Sequence, residues 1–229
     1  MVNLQILKRI NKYPSSFLFQ IMIAKITRNF IRIGAFYLLE YSGCPAPTSV
    51  RGPGKIRSGV LSDIEEMEAL EQMGKGEIFQ KRFSTDERCL VAVHHERIIG
   101  YEWFSEKATH CESRYSFVIP IPNDAFYAYD AFIHPDFRIS GIWIRFQKEI
   151  GERMKELGKE RIITLIDSHN IHSLKTHLQY GFHVFKRVLH IQLAHKHFFR
   201  EKYKGGPLSM ERGLLQNDRR KHDGFVGGE

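Results

Sequence analysis

The stretch FIHPDFRISGIWIRFQ, residues 132–147, places Arg138, Ile139, Ser140, Gly141, Ile142 and Trp143 where a strand-like apolar run passes into an amphipathic helix. The start of a helix exposes backbone N–H groups that have no internal partner, and the helix dipole adds partial positive charge. A phosphate placed there is stabilised by both. Glycine lets an anion approach the backbone, and Arg138 at the edge of the turn can add a charge-assisted hydrogen bond. The same residues also serve as a plain connection, so the elements around the turn carry the rest of the reading.

Those elements are legible from periodicity. AFYAYDAFI (125–133) reads as a strand. From Gly141 to Leu157, the residues Ile142, Phe146, Ile150, Met154 and Leu157 fall on one helical face, and Gly158 stops the helix. RIITLID (161–167) is the short continuous apolar run of a strand buried on both faces. A helix over 171–180 ends at Gly181, and FHVFKRVLHIQL (182–193) supplies the last strand material. Upstream, FYLLEYS (36–42) reads as a strand and CPAPTSVRGPG (44–54) as a linker. KIRSGVLSDIEEMEALEQM then gives a short strand and a helix, with Ser62 as N-cap and Glu65 completing a capping box. RCLVAVHHERIIGYEWFS (88–105) is a hairpin turning at HHER, and the prolines within 106–124 argue against a central strand there.

This order predicts an α+β fold with a mixed sheet and one parallel crossover, not a doubly wound dinucleotide fold. No G-x-G-x-x-G is present, so a nicotinamide cofactor is not expected. The expected organisation is an N-terminal helix and strand arm with its linker over 1–54, a main domain over 55–200, and a mobile tail over 201–229.

Composition bounds the rest. The 229 residues carry 34 Lys and Arg against 26 Asp and Glu, a formal net charge of +8. That balance favours anionic partners without choosing among phosphorylated cofactors, nucleic acid and acidic lipid. Cys44, Cys89 and Cys111 have no metal-type spacing and read as free thiols of a reducing compartment, with Cys44 the most exposed. No secretory signal is visible, and the expected location is cytoplasmic. Gln20, Lys25, Arg28 and Arg32 interrupt the apolar stretch over 17–40. A central Lys or Arg costs about 2.5–3.5 kcal/mol on insertion scales, so this stretch reads as an amphipathic helix leading into a strand. Peripheral membrane contact through this arm stays open.

A strand ending in Ile133-His134-Pro135-Asp136, an Arg-x-x-Gly turn, an amphipathic helix, a buried strand, then Asn170-x-x-Ser173 and Gly181-Phe182 together resemble the GCN5-related N-acetyltransferase (GNAT) superfamily. The resemblance spans about residues 55–193 and implies a mostly antiparallel twisted sheet, helices on both faces, and a splayed central strand pair. It implies acetyl-CoA as co-substrate, with the backbone N–H groups from Arg138 to Trp143 cradling its phosphates. Its pantetheine would lie between the strand ending at Ile133 and the strand over 162–166, with Asn170 and Ser173 near that arm. Two positions depart from the family pattern. Ile139-Ser140 and Trp143 replace small residues in the turn, and His177 stands where a tyrosine often acts as general acid.

Acyl transfer to an amine needs a neutral amine, a polarised thioester carbonyl and a proton for the thiolate. Asp130 lies in the strand ahead of the turn, amid Tyr127, Tyr129 and Phe132. Alternation places it on one face with Ala128 and Phe132. It reads either as base or substrate anchor, or as one half of a salt bridge, with Glu102 a second candidate. His177 reads either as proton donor to the thiolate or as a helix histidine without a role. His169, His172 and Asp167, or His195 and His197, lack a well-placed third ligand, so no metal is expected. The expected function is acetyl transfer to a primary amine of a small molecule, sugar or peptide. The alternatives are a non-catalytic binding module using the basic surface on nucleic acid or acidic membrane, or transfer of another acyl or aminoacyl group. The scattered basic residues form no nucleic-acid motif, so nucleic acid is not the expected partner. Nothing in the sequence encodes the acceptor or the oligomeric state.

Overall fold

Runs of β-branched and aromatic residues set the strands, and glycines punctuate the helices. The computed structural model describes residues 31–43, 50–85 and 87–203. In chain order these form β1 (Ile31–Ser42), β2 (Lys55–Ser58), α1 (Ile64–Glu71), α2 (Gly76–Ser84), β3 (Arg88–His94), β4 (Arg97–Ser105), β5 (Thr109–Glu112), β6 (Phe117–Pro120), β7 (Ala125–Ile133), α3 (Ile142–Glu156), β8 (Arg161–Asp167), α4 (Ile171–Tyr180), β9 (His183–Leu193) and β10 (Lys196–Tyr203). The fold is α+β with a mostly antiparallel, open sheet.

The chain divides into two compact units whose boundaries fall inside β1 and β9. In the larger, Tyr37–Lys186, the strand order is β9-β1-β8-β7-β4-β3-β2, and β5 and β6 pair as a separate hairpin. β7 and β8 run parallel, while β2 to β3, β3 to β4 and β4 to β7 are antiparallel. The β3–β4 turn puts His95 and Glu96 at φ 47° and 62°, the twist that a tight two-residue hairpin connection requires. The smaller unit, among the described residues, holds Ile31–Phe36 and Arg187–Tyr203, with β10 beside β9. There His190 Nε2 and His197 Nδ1 lie 2.9 Å apart.

The core of the larger unit lies on two faces of the sheet. On one, Ile142, Phe146, Ile150 and Met154 of α3 pack with Leu39, Phe104, Phe126, Ala128 and Ile162. Burying each of these α3 side chains contributes about 1.5–3 kcal/mol. Leu157, expected on the same stripe, is 43% exposed because α3 stops before it. On the other face, Phe79 of α2 packs edge-on to Tyr101 and stacks on Trp103.

Two local expectations change. Ser62 does not cap α1. Asp63 holds that corner instead, accepting the Val60 N–H at 2.9 Å and two hydrogen bonds from the Arg57 guanidinium. The strand expected to begin at 36 begins at Ile31, while residues 17–30 of the helix expected before it, residues 44–49 of the linker with Cys44, and the tail from 204 lie outside the described residues. No helix among the described residues is long and apolar enough to cross a membrane.

Candidate active site

The parallel pair β7–β8 is joined only at Ala125–Arg161, Phe126–Ile162 and Tyr127–Ile163. Beyond Tyr127, β7 stays with β4, reaching the pair Ile133–Gly100, and leaves β8. Here Tyr129–Phe132 of β7 spans one residue more than Tyr101–Trp103 of β4, and within that bulge Asp130 adopts φ +48°. A bulge adds local twist and bends the strand that carries it. The two strands therefore part, with the main-chain groups of their facing edges left for a third party.

β7 delivers the chain to the turn before α3. Arg138 and Ser140 spend their N–H groups on Pro135 O (3.3 Å) and Phe137 O (3.1 Å). The first bond into α3 runs from Arg145 N–H to Gly141 O. The N–H groups of Ile139, Gly141, Ile142, Trp143 and Ile144 have no acceptor among the described residues. Ile139 is fully exposed at 101% and Arg138 is exposed beside it. Trp143 does not fill the turn. Its ring lies against those of His177 (4.4 Å between centroids), Tyr180 (5.2 Å) and Phe182 (6.3 Å).

The glycine at 141 has a different cause from the one its sequence context implies. Its φ is +80°, and a Cβ there would meet Val50 Cγ1 at 2.4 Å. A Cβ on Gly52 would likewise meet Ser140 O at 2.7 Å, and the Arg145 guanidinium donates to Pro53 O and Gly54 O at 3.0 Å each. Backbone conformation and close packing of the 50–54 segment thus account for Gly141 without an anion.

The two carboxylates lie on opposite faces of the sheet. Asp130 accepts from Lys75 Nζ at 2.8 Å and Arg82 Nη1 at 2.5 Å, and Lys75 also binds Glu71 at 2.9 Å. Burial opposes ionisation of Asp130, but Arg82 and Lys75 outweigh it and hold the carboxyl below its ordinary range. The bulge also resets the alternation: Ala128 joins the α3 core, whereas Asp130 shares Arg82 with Tyr129. Glu102, 2% exposed, has both oxygens 2.9 Å from Gln147 Nε2 on α3. Burial without a cation pushes its carboxyl up to about 8.

His177 is buried in α4, and burial pushes its imidazole down to about 4. Its Nδ1 lies 2.8 Å from Ser173 O, the distance of a hydrogen bond donated by a neutral ring. Asn170 caps α4 by accepting the Ser173 N–H at 3.2 Å, so both residues stand at the helix start where the sequence puts them. Ile133 closes β7 and packs against the α3 core. Among the described residues no group of three or more His, Cys, Asp or Glu could hold a metal ion.

Sequence reasoning missed α2, which supplies Arg82, and the β5–β6 hairpin, which supplies His110 and Glu112. α2 buries only Phe79 and begins at a glycine, so its periodicity is faint. The hairpin's signal is the short alternation THCE and FVIP about Ser113-Arg114-Tyr115-Ser116.

No family profile and no curated protein matches the chain. Solved structures do resemble it. A functionally unknown conserved protein from Staphylococcus epidermidis ATCC 12228 is 14% identical, with 76% of this chain and 67% of that chain covered and a TM-score of 0.56. Aminoglycoside N-acetyltransferase AAC(6′)-Iy, solved in complex with CoA, is 19% identical over 56% of this chain and 91% of its own, TM-score 0.45. A GNAT-family acetyltransferase from Colwellia psychrerythraea is 8% identical over 72% of this chain and 58% of its own, TM-score 0.48. At such identities the likeness is one of fold.

Proposed function

We propose that this chain is an acetyl-CoA-dependent N-acetyltransferase acting on a primary amine of a small molecule, sugar or peptide. One observation carries the reading: the free N–H groups of Ile139, Gly141, Ile142, Trp143 and Ile144 lie in the turn that follows β7, the strand that parts from β8 beyond Tyr127. Main-chain N–H groups at a helix start suit a diphosphate, and Arg138 adds a charged donor. The facing edges of β7 and β8 offer the amide and carbonyl groups that an extended pantetheine needs for its own hydrogen bonds. Acetyl-CoA supplies the activated acyl group as a thioester. An N–H on the free edge of β7 would polarise its carbonyl as negative charge develops there.

The side chains divide as follows. Asp130, held by Lys75 and Arg82, fixes the bulge that parts the strands. Asn170 and Ser173 shape the start of α4 beside the gap. His177, neutral with Nδ1 at Ser173 O, is a poor proton donor near neutral pH, so the departing sulfur takes its proton from the attacking nitrogen or from water. The buried, neutral His177 also favours a second reading, a GNAT-like scaffold that binds without catalysing. Transfer of a longer acyl or an aminoacyl group would differ only in the donor.

Calorimetric titration tests the first step. Acetyl-CoA should bind, acetylpantetheine, which lacks the phosphates, should bind at least about tenfold more weakly, and Arg138→Ala should cost acetyl-CoA roughly fivefold in affinity. Equal affinity for the two thioesters, or no binding of either, would overturn the reading.

A further inference from the structure

The β5–β6 hairpin crosses the place where the strands part. At one end the His110 ring lies 4.5 Å from that of Tyr127 and 4.4 Å from that of Tyr129, both on β7. At the other end Tyr115 donates to Asp167, the last residue of β8, and Arg114 pairs with the same carboxylate at 3.0 Å. The hairpin therefore ties β7, near the point of parting, to the far end of β8, on the face away from α3.

One polar group under it is unspent, and a second lacks a counter-charge. The Tyr127 hydroxyl is fully buried and has no hydrogen-bond partner among the described residues. Glu112 on β5 accepts the Arg114 backbone N–H but has no ion pair among the described residues, and its carboxylate is the charge that acts on the Tyr127 hydroxyl. Folding leaves a buried donor unmatched, and a carboxylate desolvated without an ion pair, only at a cost. A ligand that accepts one hydrogen bond and brings one positive charge would offset both.

Resting on the acetyltransferase reading, we infer that the face under this hairpin binds the acceptor as a protonated amine, with Glu112 as its anchor and His110 as the base that takes a proton from its nitrogen as the N–C bond forms. The ammonium loses one proton to solvent on its way to the thioester, and the freed nitrogen lone pair forms the N–C bond to the carbonyl carbon. Bond formation makes the nitrogen strongly acidic, and the imidazole takes its second proton. The C–S bond then breaks, its electron pair leaves on sulfur, and the imidazolium passes that proton to sulfur. The products are the amide, the free thiol and the one proton released to solvent.

The surroundings of His110 keep it a neutral ring. Burial, with Arg82 and Lys107 nearby, lowers its pKa to about 4 against the opposing pull of Glu87 and Asp130. The Tyr129 hydroxyl donates to Glu87, and Lys107 pairs with Glu87 at 2.8 Å, so that carboxylate is already engaged. Asp130 is spent on Lys75 and Arg82. His110 is thus the unprotonated, uncommitted base on this face of β7. Burial raises the pKa of Glu112, and a cationic ligand would bring it back down.

The test uses the full chain, acetyl-CoA and three probe amines of similar length: 1,5-diaminopentane, pentylamine and 6-aminohexanoate. Thiol release should rank in that order, because Glu112 attracts a cation and repels a carboxylate. His110→Gln and His110→Ala should each lower kcat with the diamine by about 100-fold or more, with calorimetric affinity for acetyl-CoA unchanged. Glu112→Gln should raise KM for the diamine about tenfold and narrow its advantage over 6-aminohexanoate. If acetyl-CoA binds and thiol is released, but both His110 variants keep more than about a third of the wild-type rate, this inference fails alone. It also fails alone if acetyl-CoA binds and none of the three amines releases thiol. Failure of acetyl-CoA to bind the wild-type chain overturns both readings.

Discussion

Glu102 and His177 are buried groups whose protons respond to folding in opposite directions. Glu102 is raised to about 8, so the folded chain keeps a proton that the unfolded chain loses near its ordinary value. Its contribution is full at acid pH and declines as pH rises towards 8. His177 is lowered to about 4, so its contribution is full above the ordinary histidine value and is lost as pH falls through 4. Between about 4.5 and 6.5 the two trends oppose each other, and above that range only Glu102 acts. Glu102→Gln, isosteric and uncharged, should therefore gain on the wild type by about 2 kcal/mol between pH 6.5 and 8. Urea unfolding at the two pH values measures the difference, and parallel behaviour of the two chains would show that Glu102 ionises freely. Asp130 gives the contrasting case. Asp130→Asn leaves Lys75 and Arg82 without the carboxylate they share, and should cost on the order of 3 kcal/mol at neutral pH.

At the scale of elements, strong periodicity and punctuation decided what could be read. The strand 125–133, the strand 161–167 and the helix 171–180 lie where the apolar runs and Gly181 put them, and α3 is shorter by a residue at each end. The splayed strand pair came only as an implication of the family resemblance, and the free amides before α3 from the helix start itself. α2, the β5–β6 hairpin and β10 were not legible, because each buries few side chains and owes its form to what it packs against. Nor was the bulge legible: a positive φ at an aspartate is set by the β4 register, and it moved Asp130 off the face that alternation assigned. Gly141 shows how a motif residue can be forced by packing. Gly158 has φ +64° and nothing within 4 Å of a Cβ, whereas Gly141 has φ +80° and meets Val50 at 2.4 Å. Gly158→Ala should cost about 1 kcal/mol for the left-handed backbone alone. Gly141→Ala should cost roughly 1–3 kcal/mol more, since Val50 must move. Thermal unfolding of the pair isolates the Val50 contact, and equal losses would show that the 50–54 segment yields freely.

For the molecule as a whole, a formal charge of +8 leaves two readings that salt can separate. A basic surface that clamps a nucleic acid neutralises many phosphates at once, and its affinity falls by about 10³ or more over a few-fold rise in salt. The proposed site is built differently. Its donors are neutral main-chain N–H groups between Ile139 and Ile144, with Arg138 as the charged side chain of the turn. Dipoles release no counterions, and a lone exposed arginine is screened within about a Debye length. Acetyl-CoA affinity should therefore fall by less than about tenfold between roughly 50 and 500 mM salt, and Arg138→Ala should flatten even that dependence. Calorimetric titrations at the two salt concentrations read both slopes. A loss of about a thousandfold in the wild type, unaltered by Arg138→Ala, would mean that the polyanion is held by the general basic surface and not by the turn before α3.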